Sequence, residues 1–383
     1  MHAALSSLTC RKSHSLPRMK PEELTDPVLR TWPVFDGHND LAYRLREMDT
    51  AEPAVDIGRL HGTHTDLERL ASGGVGAQWW SVWVPADQPE ETALRQVLEQ
   101  VDLVHRWLVT HPDRMQLCTS AADVERARES GRLASLLGAE GGHSIASSLG
   151  ALRCLAALGV RYMTLTHNFS TSWADSATDV PRAGGLNDFG RQVVAEMERL
   201  GVLVDLSHVA ETTMNDALDV VRRPVIFSHS STRALCDHVR NVPDQVLQRL
   251  PHNGGVCMVT FVASFVSEEY RQWDIELEAA AVAAGVDVDD WAALTAFEES
   301  RPGTTPKATV AQVADHVEHV REIAGIDHVG VGGDYDGCRV LVDRMPDVGG
   351  YPALVEELRA RRWSDDDIGA VTWRNALRAL AGG

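Results

Sequence analysis

Val202-Leu203-Val204-Asp205-Leu206-Ser207-His208 is an apolar run ending in ionisable residues. The stretch from Glu211 to Val221 follows with helical periodicity, and Pro224-Val225-Ile226-Phe227-Ser228-His229-Ser230 then repeats the first pattern. Short apolar run, helix and short apolar run together make the βαβ unit of a parallel sheet. Outward from here the same alternation covers the chain. Candidate strands are Pro33 to Phe35, Gly76 to Val84, Leu133 to Ala139, Arg161 to Thr166, Val202 to Leu206, Pro224 to Ser228, Gly255 to Phe261 and His328 to Gly332. Candidate helices run from Glu91 to Val109, Ile145 to Leu158, Phe189 to Leu200, Glu211 to Val221, Ala308 to Ala324 and Asp365 to Leu380. This pattern predicts an α/β fold of the closed (β/α)8, or TIM-barrel, type; a doubly wound open sheet shares the alternation. Residues 1–383 are expected to form a single barrel domain with two additions. Residues 1 to about 30 read as a leader and first helix. Residues 263–307, acidic, Ala-rich and carrying Pro302-Gly303, read as a helical insertion after strand seven, where barrels build lids bordering the active site.

Composition narrows the function. At 44% hydrophobic and 24% charged residues the chain can bury a large core, which excludes disordered and fibrous classes. The 36 Lys and Arg against 55 Asp and Glu leave a net charge of −19, which argues against nucleic acid or an anionic membrane surface as partner. No run approaches the ~18 apolar residues of a membrane helix, and Met1 to Lys20 lacks a secretory apolar core. The six cysteines are scattered without a C-x-x-C pair, as free thiols of a cytoplasmic protein would be. The expectation is a soluble, cytoplasmic protein with a small-molecule partner.

The chemistry lies at the strand ends. The first candidate strand runs into Asp36-Gly37-His38-Asn39-Asp40, where His38 and Asp40, two apart on an extended chain, point the same way. The third ends at Glu140-Gly141-Gly142, the fourth at His167, the fifth at His208, the sixth at His229 and the eighth at Asp334-Tyr335-Asp336. Parallel barrel strands bring these ends to one mouth. Imidazoles and carboxylates without thiolates suit zinc or another divalent transition metal, and the ligand count exceeds the needs of one ion.

The motifs, read in order, closely resemble the membrane dipeptidase (renal dipeptidase) family. They are Asp36-Gly37-His38-Asn39-Asp40-Leu41, Glu140-Gly141-Gly142-His143-Ser144, Leu165-Thr166-His167-Asn168 with Trp173-Ala174-Asp175, Asp205-Leu206-Ser207-His208, Val225 to Ser231, Arg240-Asn241-Val242-Pro243-Asp244 and Gly332-Gly333-Asp334-Tyr335-Asp336-Gly337. The resemblance covers the chain from about Pro33 to the C-terminal helix. It implies a (β/α)8 barrel of the amidohydrolase superfamily and a zinc-dependent hydrolysis of dipeptides, L,L or L,D, by a metal-activated hydroxide. It further implies two zinc ions per chain, bridged by Glu140 and a hydroxide or water, with His38 and Asp40 on one ion and His208 and His229 on the other. By the same resemblance His167 meets the scissile carbonyl oxygen, Arg240 holds the terminal carboxylate, and Asp334 handles the proton; Asp336, two residues on, is an alternative that spacing does not separate. The expected partners are a dipeptide substrate and a second copy in a homodimer. Mammalian relatives carry a signal peptide, a disulfide near the site and a lipid-anchor tail, whereas this chain lacks cysteine in the segments 83–87 and 168–173, as a soluble bacterial-type member would.

Other features read as structural. His61 and His64 open a polar segment and are expected at the surface. Ser144, in an approximate nucleophile-elbow pattern, is expected to cap the helix that follows. His316 and His319 are expected on a solvated helix face, and Trp79, Trp80 and Trp83 chiefly in strand packing. The competing functions are another amidohydrolase reaction on a cyclic or modified amide, a serine hydrolase using Ser144, and a noncatalytic binder that kept the pocket.

Overall fold

The computed structural model describes residues 26–48 and 56–382. The expected leader lies outside the described residues except for a short helix, Pro27–Thr31, capped by Asp26 and joined by that residue to Arg359.

Nine strands follow: β1 (Val34–Asp36), β2 (Val75–Ser81), β3 (Met115–Leu117), β4 (Leu133–Glu140), β5 (Val160–Thr164), β6 (Leu203–Asp205), β7 (Ile226–Phe227), β8 (Val256–Val259) and β9 (Val329–Val331). Their order is β2-β1-β9-β8-β7-β6-β5-β4, and β4 returns to pair with β2. The sheet is therefore a closed, all-parallel barrel of eight strands. The expected strands are its staves. β3 is the addition that sequence reasoning missed: it pairs with Leu133, Ala134 and Ser135 of β4, below the point where β5 takes over the same edge at Leu137. Barrel strands are covered on both faces, so every described strand residue except Gln116, Leu117 and Arg161 is buried. Phe35, Trp79, Leu136, Tyr162, Ile226 and Met258 pack together with Trp373 of the C-terminal helical run, closing the floor of the barrel.

Around the barrel lie α1 (Leu41–Met48), α2 (Glu90–Thr110), α3 (Leu149–Ala157), α4 (Asp188–Leu200), α5 (Glu211–Val220), α6 (Ala263–Val266), α7 (Glu268–Ala283), α8 (Trp291–Glu299) and α9 (Val310–Ala324). The expected helix from Ile145 to Leu158 is broken. A short 3-10 turn, Gly142–Ile145, ends at Ala146 and Ser147, both in the left-handed region (φ 46° and 49°), and α3 starts afresh with Ser148 capping Ala151. Ser148, not Ser144, is thus the helix cap. The helices α6, α7 and α8 lie between β8, the seventh barrel strand, and α9.

Candidate active site and metal centre

Two aspartates at strand ends set up the mouth of the barrel. Asp36 closes β1; its Oδ1 accepts the amide of His38, two residues on, at 3.1 Å and the amide of Gly333, just past the neighbouring β9, at 2.9 Å. Asp205 closes β6 in the same way, with Oδ1 accepting from the Ser207 amide at 3.1 Å and from the Ser228 amide, just past β7, at 2.9 Å. Each carboxylate turns its chain sharply off the strand and ties that turn to the next stave. The turns deliver His38 and His208, the latter with φ 67°.

The side chains converge on Glu140, buried at the end of β4. Its Oε2 lies 3.2 Å from His38 Nε2 and accepts from Ser81 Oγ at 3.0 Å. Its Oε1 lies 3.0 Å from His208 Nε2, 3.4 Å from His229 Nε2 and 3.8 Å from His167 Nε2. Asp40 Oδ2 is 3.1 Å from His38 Nε2, and the two Nε2 atoms of His208 and His229 stand 3.0 Å apart. The two oxygens of Glu140 thus face two groups, His38 with Asp40 on one side and His208 with His229 on the other.

Hydrogen bonds behind the site fix what these imidazoles present. Ser228 Oγ donates to Asp205 Oδ2 at 2.6 Å, so its 2.8 Å contact with His229 Nδ1 has the ring as donor. That places the lone pair of His229 on Nε2, aimed into the site. His38 Nδ1 is held by Tyr162 Oη at 2.8 Å, again directing Nε2 inward. Burial holds His208, His229 and His167 well below the usual imidazole range. It pushes Glu140 up and Asp334 well up. Burial alone would lower His38 too, but the Glu140 and Asp40 carboxylates hold it well above its ordinary value. Asp40 Oδ1 and His208 Nδ1 have no hydrogen-bond partner. Imidazole nitrogens and carboxylate oxygens packed a hydrogen bond apart, with His208 and His229 kept neutral by burial, form a donor set that suits a divalent transition metal. His38, Asp40 and Glu140 form one potential ligand group, Glu140, His167 and His208 a second, and His38, His229 and Asp334 a third that spans the two sides.

A match to the membrane dipeptidase family (peptidase family M19) runs from residue 22 to 382. The chain belongs to the membrane dipeptidase family. Mouse dipeptidase 3 is 38% identical over 370 residues, covering 95% of this chain and 66% of the relative. Human dipeptidase 3 is 39% identical over 359 residues, covering 92% and 65%. The chain therefore spans just under two thirds of the length of these relatives. Among solved structures, the probable dipeptidase PvdM from Pseudomonas aeruginosa superposes with a TM-score of 0.80 at 22% identity, covering 93% of this chain and 96% of that one. A metallo peptidase from Rhodobacter sphaeroides, liganded with a phosphinate mimic of L-Ala-D-Ala, gives 0.76 at 24% identity, covering 91% and 98%. At that identity the two likenesses concern the fold.

The remaining residues singled out for a membrane dipeptidase site also reach the mouth. Asp334 Oδ1 is 4.0 Å from His38 Nε2, whereas Asp336 is turned to the His64 amide at 2.6 Å, which separates two acids that spacing had left equivalent. Arg240 is buried; it donates to His229 Nε2 at 2.8 Å, sits over the Phe265 ring at 5.2 Å and is lowered to about 10 by burial. The rings of His167 and His208 lie 4.2 Å apart, and Trp83 lies 4.8 Å from His167. Trp83 therefore borders the site, while Trp79 and Trp80 are buried packing residues. Ser144 is fully buried with no partner for its hydroxyl, and His143 Nε2 faces the Val84 carbonyl at 2.9 Å, so no nucleophile pair exists there. His316 is not solvated: it is fully buried, accepting from Thr232 on Nδ1 and facing the Val266 carbonyl with Nε2 at 3.0 Å. Its signal was available, because it shares a helical stripe with Val313, Val317 and Val320. His61 is exposed, but His64 is half-buried and braces Asp336. Asp36, Asp205, Tyr162 and Ser228 were the contributors that sequence reasoning missed.

Proposed function

We propose that this chain is a zinc-dependent dipeptidase. The observation that carries the reading is the two-sided environment of Glu140, one oxygen turned to His38 and Asp40 and the other to His208 and His229. In this reading two zinc ions are held, His38 and Asp40 on one, His208 and His229 on the other, with Glu140 shared. Zinc, when bound, makes hydroxide available near neutral pH and polarises a carbonyl. Asp334, whose burial keeps its proton affinity high, accepts a proton from the attacking water and passes it to the leaving amine. His167 donates to the oxygen of the scissile carbonyl as charge develops on it. Arg240 grips the terminal carboxylate of the substrate through two parallel hydrogen bonds, which favours a linear dipeptide over a cyclic amide.

No described helix is long and apolar enough to cross a membrane. A reducing cytoplasm is the compartment we propose, supported by the five described cysteines, all unpaired. The proposal includes a homodimer, which analytical ultracentrifugation would read. The test of the activity is hydrolysis of a mixed L,L and L,D dipeptide library by purified protein, with metal content measured on the same sample. Turnover that stops on chelation and returns with Zn²⁺ is expected. Bound metal without turnover of any dipeptide would overturn the substrate class, and failure to retain supplied zinc would overturn the site.

A further inference from the structure

The loop that leaves β9 carries Asp334 with φ 59° and Asp336 with φ 66°. Side chains crowd that left-handed backbone, and two such residues so close together persist only where the surroundings hold them from several sides. One hold is the Gly333 amide on Asp36 Oδ1 at 2.9 Å, and a second is the reciprocal pairing of Asp336 with His64 at 2.6 and 3.0 Å. The third comes from the insertion. Arg339 donates through Nη1 to Glu298 Oε2 of α8 at 2.6 Å and through Nη2 to Asp274 Oδ1 of α7 at 3.4 Å. The three side chains are only 13–20% exposed, so water screens the cluster little. Glu298 is fixed in turn by the Thr305 hydroxyl at 2.9 Å.

The backbone joins the same two segments at their roots: the Ala263 amide donates to the Val340 carbonyl at 3.1 Å, and the Val342 amide to the Phe261 carbonyl at 3.2 Å. Ala263, Val266 and Tyr270 belong to the main core, but Leu277, Ala281 and Leu294 form a cluster of their own, so α8 stands off the barrel. A cleft of about 450 Å³ separates α8 from α1, bordered by Arg44, His64, Trp291 and Arg339. Contact between α8 and the mouth of the barrel thus runs through a few groups, the Arg339–Glu298 pair and Arg44 over the Trp291 ring at 5.5 Å. Any slack there reaches the site, because Gly337 lies so close to Asp40 and Asp334 that a Cβ on it would overlap Oδ2 of the one and Oδ1 of the other.

We propose that Arg339 is a positioning residue that clamps the insertion onto the loop carrying Asp334, making the insertion part of the machinery that holds this acid in place. The proposal deepens the dipeptidase reading and rests on it for the role of Asp334. The test compares zinc-loaded wild type with Arg339→Gln, Arg339→Lys and the charge swap Arg339→Glu/Glu298→Arg, reading hydrogen exchange by mass spectrometry, metal content, kcat and KM. In Arg339→Gln, amides of residues 334–342 are expected to exchange faster, metal content and KM to stay within about twofold, and kcat to fall about tenfold. Lysine is expected to recover much of both losses, and the charge swap only part of them, because an acid at position 339 meets Asp274. Unchanged exchange at 334–342, or faster exchange confined to 263–307 with kcat intact, would overturn the clamp. Should Arg339→Gln fail to fold, Glu298→Gln removes one arm of the clamp and is read in the same way. A wild type that turns over no dipeptide would overturn the functional reading alone, since the exchange measurement still decides the clamp.

Discussion

Asp36 and Asp205 do the same job on nearly opposite sides of the barrel, and they differ in one oxygen. Each Oδ1 collects an amide from its own turn and another from the neighbouring strand. Oδ2 of Asp205 also accepts hydroxyls from Thr164 and Ser228, both at 2.6 Å, whereas Oδ2 of Asp36 makes no hydrogen bond of that quality, with only the Tyr351 hydroxyl and the Gln78 amide beside the carboxyl, and burial pushes that carboxyl up to about 6. The β1 hub therefore needs only an acceptor oxygen. The β6 hub needs a charge, because its second oxygen sets the direction of the Ser228 hydroxyl and through it the proton on His229. Two turns of the same geometry thus place different demands on chemistry.

Glu140 joins both halves, so removing its charge is expected to have the largest effect. Glu140→Gln should lower kcat/KM by about 10³-fold or more and release metal, read by atomic absorption and dipeptide hydrolysis. If only one of the two halves loses metal, the shared role is wrong.

The contrast between hubs is sharpest in the matched pair Asp205→Asn and Asp36→Asn. An amide in place of Asp205 Oδ2 donates to Ser228, turns its hydroxyl toward His229 Nδ1 and moves the ring proton to Nε2. A loss of about 10- to 100-fold in zinc affinity is expected, measured by competition with a chelator. Asparagine at position 36 keeps the acceptor for both amides, and a change below about threefold is expected. Equal effects would break the comparison. Tyr162→Phe removes the oxygen behind His38 alone and should fall between these two, at about tenfold in affinity for one metal only.

The last effect is on stability against pH, not on metal. His316 in α9 holds Thr232, just beyond His229, and burial lowers it to about 4 from 6.5. The folded protein therefore binds fewer protons than the unfolded chain between these values, so this stabilisation is complete above about 6.5 and is lost as pH falls toward 4. Unfolding by urea at several pH values should show a steeper loss over that window for wild type than for His316→Gln, by on the order of 3 kcal/mol. Parallel curves would remove His316 from the β7 support.

The residues that converge on Glu140 were legible because each follows on an apolar run, and parallel strands put run-ends at one mouth. The roles of Asp36 and Asp205 were not, although both stand inside the motifs. Half of their hydrogen bonds come from Gly333 and Ser228 on adjacent staves, and strand adjacency is a property of closure. The same holds for Arg339, whose partners lie 41 and 65 residues away. β3 escaped notice because Met115-Gln116-Leu117 is no apolar run: Gln116 interrupts it, and only Met115 is buried.

That short strand has a consequence beyond the site. Along one edge of β4, β5 begins only at Leu137, so the backbone groups of Leu133, Ala134 and Ser135 would face outward if Met115, Gln116 and Leu117 did not cover them. An uncovered row of this kind recruits strands from other molecules. Three residues remote from all the chemistry thus satisfy the β4 backbone and pass the open edge to a strand only three residues long, too short to pair firmly with another.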